Sequence, residues 1–445
     1  MFEPTRRRFA AIVAVFSTCA LFWGFLGNGW HVVDQGRFDR HEQDAVAVLL
    51  GRLVKTRQDG LFSAGGLNGW GVHERVGSLN SDGWIGRASA DAQYHAYLDG
   101  GRFENYRAYL SQPGGQSFFF AIWDRILPLA PSARLSVFYG MTALFTALVL
   151  AWVVTWFYLE LGGPAAMFAL GSLALSSWLT LFARNPFWSM WAFYLPMAGL
   201  MLLSRRAASA DVSPVWCSAF VFGATLLNCL FNGMQYITTM LLMTPVPIVY
   251  YAVRVRADTR SWVKRLAAAT LPAALAVLFG VGVLCVQIAS LRGSSLSDGV
   301  RHVAYSFQKR SYQSPVRVGT VVNMYLTGET FVDLEIRPPW NASAPPHGVT
   351  YRLLIVVFLG ASIAACLPRK RWAGTARLRE NRALTVATWV SILAPLSWYV
   401  IFKQHSFVHT HLNYVLWQMP FTVFGFALCA RALEAVVGDA SSHLR

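Results

Sequence analysis

The chain is 445 residues long, 55% hydrophobic, 14% aromatic and only 13% charged, well short of the roughly one quarter charged residues of a soluble domain, so water is not its main solvent. Its formal net charge of +16 is broken up by long apolar runs and forms no continuous basic stripe. That excludes nucleic acid as a partner and leaves the positive-inside bias of a membrane protein, with attraction to anionic headgroups.

Apolar stretches long enough to span a bilayer, about 20 residues each, lie near 9–29, 134–157, 164–182, 188–204, 214–231, 235–252, 265–291, 351–367, 383–402 and 413–431. The expected fold class is an all-α polytopic membrane protein with about ten transmembrane helices. The first stretch follows Arg6, Arg7 and Arg8 and runs to about Trp30. It exceeds the roughly 7 to 15 residues of a signal-peptide core and is expected to stay as a helix. The chain divides into this first helix (1–29), a long outer loop (30–133), helices two to seven (134–291), a second outer loop (292–350) and the last three helices with the C-terminal tail (351–445). Cys19, Cys217, Cys229, Cys285, Cys366 and Cys429 fall in or at the ends of apolar runs, none at CxxC spacing. Neither a disulfide framework nor a zinc site is implied.

Charge alternates from one connection to the next. Arg6 to Arg8, Arg205 and Arg206, the group Arg254, Arg256, Arg260, Lys264 and Arg265, and the group Arg369, Lys370, Arg371, Arg377, Arg379 and Arg382 all fall on one side. By the positive-inside rule that side is the cytoplasm, which places both termini there and both long loops outside.

The first outer loop opens with VVDQGRFDRHEQDAVAVLLGRLVKTRQDG, where a helix is expected from about His41 to Arg57, ended by Gly60. At helical spacing Val46, Leu49, Leu50 and Leu53 make one apolar stripe, with Glu42 near its centre, Asp39 on the same side and Asp44 opposite. Such a helix is expected to lie along the outer membrane surface and to point Asp39 and Glu42 inward. Two readings compete for that pair. Asp39 as N-cap with Glu42 three residues on makes a capping box. A carboxylate facing a loop rich in Lys and His makes a general base for an anionic substrate. The remainder, 58–133, holds GGLNGWG at 65–71 and Tyr94, Tyr97, Tyr106 and Tyr109. It matches no phosphate-binding motif. Glycines among aromatics suit a sugar-binding or interfacial surface, although for any single residue loop packing is the simpler reading.

Three short links share the outer side, at about 183–187, 232–234 and 403–412. Ionisable groups so near the bilayer are costly unless they pair or serve a site. Arg184 and Asn185 lie in the first, Asn232 with Gln235 just beyond in the second, and Lys403, His405, His409 and His411 in the third, FKQHSFVHTH. Snorkelling and capping account for a lone Arg184 or Lys403, whereas three histidines beside a lysine point to function. The second long loop begins LRGSSLSDGVRHVAYSFQKRS, a basic amphipathic segment carrying Arg301, His302, Lys309 and Arg310. Its cations either rest on water and headgroups or clamp a pyrophosphate or phosphate lipid. The sequon at Asn341 to Ser343 is a weak signal.

A first helix, a long outer loop opening on acidic residues and a surface helix, then many spans: this arrangement resembles the GT-C superfamily of membrane glycosyltransferases, which includes protein mannosyltransferases and aminoarabinose transferases. The resemblance covers the architecture of most of the chain. Families of that type carry a catalytic carboxylate in the first outer loop, sometimes within a DxD, ExD or paired acidic motif. The matching stretch is FDRHEQD, where Glu42-Gln43-Asp44 satisfies ExD. Because the helical phase turns Asp44 away, the resemblance assigns the catalytic role to Asp39 first and Glu42 second. It further implies a polyprenyl-phosphate-linked sugar as donor, a glycan, lipid or protein acceptor, a site at the outer membrane surface and inversion at the anomeric carbon. Arg184, Arg310, Lys403 and His405 are then the groups to stabilise the leaving phosphate, and Gln235, His409 and His411 complete the expected substrate-binding set. No adjacent Asp-Glu pair ends the first helix, and one loose acidic cluster leaves the need for a divalent cation open. Arginine preference over lysine and the lack of outer-face disulfides place the expected site on the periplasmic side of a bacterial inner membrane.

Other classes compete. An outer-face polysaccharide polymerase or ligase handles similar donors through Arg and His in a late outer loop, but has no use for the bulk of the early loop. A secondary transporter or flippase is expected to show internal repeats and polar groups at the bilayer midplane. No clear repeat is present here, and the polar residues gather at one mouth. A non-catalytic assembly scaffold is the remaining default.

Overall fold

The computed structural model describes residues 3–72, 88–207, 214–312, 315–330, 349–367 and 376–443. The Asn341 sequon and the group Arg369 to Arg371 lie outside the described residues. Almost every described element is an α-helix, as a chain in lipid requires, because each backbone N–H and C=O must find its partner within the segment.

Among the described residues seven helices are long and apolar enough to cross a membrane: Arg8–Gly27, Pro131–Leu161, Val215–Asn232, Ile237–Val255, Thr259–Arg292, Ala376–Ile401 and Thr410–Val437. The chain is a multi-pass helical membrane protein. The other three expected spans are helical too, but differ in form. The stretch 164–182 folds as Gly163–Ala174 and Ser177–Ala183, bent by 67°, with the Ser176 hydroxyl capping the second piece at Leu179 N; counted as one, the pair makes an eighth span. The stretch 188–204 forms Met190–Ala207, with Pro196 inside it. The stretch 351–367 gives the helix Tyr351–Cys366, whose 16 residues reach about 24 Å against a hydrocarbon core of about 30 Å.

Helix Pro131–Leu161, 31 residues and so about 46 Å long, joins two polar ends. At its start Asp124, just before the helix, pairs with Arg134 at 3.1 Å and Arg57 at 2.8 Å and accepts from Tyr97 Oη at 2.7 Å. These bonds pin the first loop to the bundle. At its far end the fully buried Glu160 is held by Arg205 and Arg254, Arg254 also reaches Glu380 at 3.3 Å, and Arg6 donates to Leu159 O at 2.7 Å. A buried carboxylate is tolerated only when such partners replace its water. The arginines that alternate along the sequence therefore converge on one end of the bundle.

The first loop departs from the expected single surface helix. It forms Gln35–Arg40, a break at His41 and Glu42, then Gln43–Asp59. Asp39 lies inside the first helix, and Glu42 takes the N-cap position of the second without a side-chain cap bond, so the two form no capping box. The second helix is not spread on a surface either. Residues Ala45 to Val54 are all buried, against the helix Ala88–Leu98, the strand Gly69–Val72 and the helix Gly115–Ile126. The strand pairs antiparallel with Asn105–Ala108. The glycines of GGLNGWG serve this packing: a Cβ on Gly51 would stand 2.5 Å from Gly69 O, and one on Gly69 would stand 2.2 Å from Arg107 O. Tyr106 donates to Leu67 O at 2.9 Å and Tyr97 is buried, so these two aromatics hold the loop together and present no sugar-binding face.

Candidate functional site

The site is built where the first loop meets the links after 183 and 403. The helix Gln35–Arg40 starts on Asp34, whose carboxylate accepts from Arg37 N at 2.9 Å, and ends at His41 in extended backbone. Glu42 then turns left-handed, φ 56° and ψ 32°, while its carbonyl accepts from Ala45 N and Val46 N to start the next helix. A non-glycine residue in this conformation costs on the order of 1–2 kcal/mol, a cost that marks positions where the side chain's direction matters. Here the turn sends the Glu42 side chain back into the bundle. Its side chain is only 14% exposed.

Two groups meet it there. Trp188 Nε1 donates to Glu42 Oε2 at 3.2 Å, and His411 Nε2 stands 3.5 Å from Oε1. Trp188 is held by its own link: Asn185 Oδ1 accepts from Phe187 N and Trp188 N at 2.9 and 3.3 Å, an Asx turn. Asn232 exchanges bonds with Ser189 N and O at 3.1 and 3.2 Å. The indole stacks on Tyr236, itself left-handed at φ 51° and bonded through its hydroxyl to Leu412 O at 2.6 Å. The links after 183, 232 and 403 are thereby fastened to one another around Glu42.

Behind His411 the imidazoles continue inward, His409 at 6.1 Å between ring centroids and His405 at a further 4.7 Å. His405 lies against Trp398. On the other side of Glu42, His41 sets its ring against the edge of Phe182 at 4.7 Å. Burial lowers His41 from 6.5 to about 4, only partly opposed by Glu42. Burial, with Arg310, His409 and His411 adding to it, holds His405 well below the usual imidazole range, and burial and His411 lower His409. These three rings are neutral at neutral pH. For Glu42, burial raises proton affinity, but the bond to His411, the charge that His41 gains only as pH falls to about 4, and the bond from Trp188 outweigh it and leave the carboxyl below its ordinary range. An ionised carboxylate thus sits beside His411, with the neutral rings of His41, His409 and His405 around the pair. The buried atoms His41 Nε2, His405 Nδ1 and Gln235 Nε2 have no hydrogen-bond partner among the described residues, which is uncommon for buried polar groups and recurs at functional sites.

The other expected site residues fall around this centre. Asp39 is 56% exposed and pairs with Arg184 at 3.1 Å, with Gln35 also donating to it. Arg184 is fully engaged, donating to Leu26 O at 3.3 Å and Phe38 O at 3.2 Å and lying 3.7 Å over the Phe38 ring. It clamps the end of the first span to the helix that carries Asp39. Gln235 and the half-buried Arg310 share a small pocket with Gln112, Trp188 and Asn232. Lys403 begins the short helix Lys403–Val408, half-buried. Trp188, Tyr236 and His41 are the site residues that reading the sequence did not single out. Asn185, three residues before Trp188 and placed to form an Asx turn, was the available signal for it. Among the described residues no group of three or more His, Cys, Asp and Glu is arranged to hold a metal ion.

Fold and site together define a multi-pass helical membrane protein with a carboxylate and imidazole cluster at one end. Compared with protein-family models, with curated proteins and with solved structures, the chain finds no match.

Proposed function

We propose that this protein is a membrane glycosyltransferase of GT-C type, moving a sugar from a polyprenyl-phosphate donor to a glycan, lipid or protein acceptor, with Glu42 as the general base. The observation that carries the reading is the placement of Glu42, an enclosed and ionised carboxylate aimed by a left-handed backbone into a cluster of histidines. In the reaction the acceptor hydroxyl gives its proton to Glu42 as its oxygen bonds to the anomeric carbon from the face opposite the phosphate. The bond from that carbon to the phosphate oxygen breaks, and polyprenyl phosphate leaves with the electron pair. Proton removal by a positioned carboxylate contributes typically about 10² to 10⁴ in rate. Arg310, Lys403 and the neutral rings of His405 and His409 supply donors for charge gathering on the phosphate. Asp39 is assigned to holding Arg184 and the loop.

The same reading takes the end of the bundle that carries Glu42 as periplasmic, the arginine-rich end and both termini as cytoplasmic, and the membrane as a bacterial inner membrane, supported by the positive-inside rule. Three of the ten segments it requires are bent, interrupted or short. The rival enzyme, a polysaccharide polymerase or ligase, draws support from the histidines beside Arg310. Purified protein given radiolabelled polyprenyl-phosphate sugars tests the proposal. Transfer of one sugar with inversion supports it, processive extension of a lipid-linked glycan supports the polymerase, and donor crossing a vesicle without transfer supports a flippase.

A further inference from the structure

The described residues enclose a second space at the arginine-rich end, away from Glu42. It measures about 420 Å³ and lies between the helices Met190–Ala207, Pro214–Asn232, Val246–Val255 and Thr259–Arg292. Its lining is apolar, with Leu200, Ile248, Tyr251 and Trp262 among the contributors, and its polar edge is formed by Lys264 and Arg265. Volumes of a few hundred Å³, mostly apolar with a few placed polar groups, are the ordinary form of a ligand site. Lys264 and Arg265 lie in the second turn of a helix that starts at Thr259 on the Asp258 cap. They therefore stand within about 10 Å of the helix start, at the level where a span meets the headgroups. Both are exposed, as is Val255 beside them, so the space reaches the surface of the bundle.

We propose that this cavity is a binding site for an anionic glycerophospholipid, with one acyl chain against Ile248 and Trp262 and the phosphate on Lys264 and Arg265. Charge complementarity at a fixed depth selects this ligand. An apolar slot between helices that ends on two cations accepts a chain with a negative head, and basic pockets between transmembrane helices bind anionic headgroups by this arrangement. Arginine adds a paired-donor geometry for phosphate oxygens. A neutral lipid fills the slot but leaves both cations unmatched. The site is independent of the chemistry assigned to Glu42.

The test uses the full chain in nanodiscs and reads Trp262 alone, as the difference between wild type and Trp262→Phe, while lipids with brominated acyl chains quench it. Brominated phosphatidylglycerol is expected to quench at a roughly ten-fold lower mole fraction than brominated phosphatidylcholine. The exposed pair Lys264→Gln/Arg265→Gln is expected to bring the two curves together without changing the fold. Inorganic phosphate alone is expected not to displace the quencher. Equal quenching by both lipids in wild type overturns the proposal, because the cations then select nothing. Absence of quenching by either also overturns it, because no acyl chain then reaches Trp262.

Discussion

His411 Nε2 stands 3.5 Å from Glu42 Oε1, so the first long connection of the chain and its last short one meet in a single side-chain contact. Trp188, from a third connection, donates to the other oxygen of the same carboxylate. Both contacts lower the proton affinity that burial raises. Trp188→Phe keeps the ring and removes the donor, and His411→Ala removes the other partner. In either variant the Glu42 carboxyl is expected to titrate higher, and the acid limb of the pH profile for transfer moves up with it. A limb that stays in place in both variants means that Glu42 does not set it.

His41 makes stability fall on the acid side. Burial holds it from 6.5 down to about 4 in the folded chain, so the unfolded chain binds the extra proton between those values and stability rises with pH across that window. The contribution is fully present above about pH 6.5, is lost as pH falls to about 4, and amounts to about 3 kcal/mol. Thermal unfolding in detergent measures it. His41→Phe, which keeps the ring against Phe182, is expected to flatten the dependence, and an unchanged slope removes His41 from the account.

Arg184 divides its donors among Asp39, Phe38 O and Leu26 O. A lysine offers a single point charge and cannot span three acceptors in one plane. Arg184→Lys and Arg184→Ala are therefore expected to lower transfer to a similar extent, about ten-fold, through loosening of the loop that carries Glu42. Full activity in Arg184→Lys contradicts the clamp.

Asp124 balances Arg57 and Arg134 and accepts from Tyr97. Asp124→Ala leaves two cations without their carboxylate. The expected loss is about 3 kcal/mol, the low end for a broken buried pair because Arg57 is partly exposed, read as a lowered unfolding temperature. Arg301→Ala, which removes a solvent-exposed partner of Asp298, is expected to leave that temperature unchanged.

The helical class and its apolar segments are legible in the sequence because run length against bilayer thickness is a one-dimensional property. The convergence of Arg6, Arg205 and Arg254 follows from the alternation of charge in the same way. The break at His41 and Glu42 is not legible. The apolar stripe of Val46, Leu49 and Leu53 continues smoothly back through Glu42, and local propensity favours one helix. At the break Glu42 meets Trp188 and His411, and His41 meets Phe182, contacts between distant parts of the chain that local sequence does not show. Helical phase sets only Asp44 aside, the order of Asp39 before Glu42 comes from the family resemblance, and phase loses meaning once the helix is cut at His41 and Glu42. The bent pair at Leu175 and Ser176 is hidden similarly, since hydropathy is blind to direction.

In the proposed reaction Glu42 takes the acceptor's proton while Asp39 holds the loop. The most direct test of these roles is sugar transfer from a radiolabelled polyprenyl-phosphate donor by purified wild type, Glu42→Gln and Asp39→Asn, each checked for wild-type unfolding temperature. Glu42→Gln is expected to lose about 10² to 10⁴ in rate and Asp39→Asn to keep transfer within about ten-fold of wild type. Full transfer by a folded Glu42→Gln contradicts the role of Glu42.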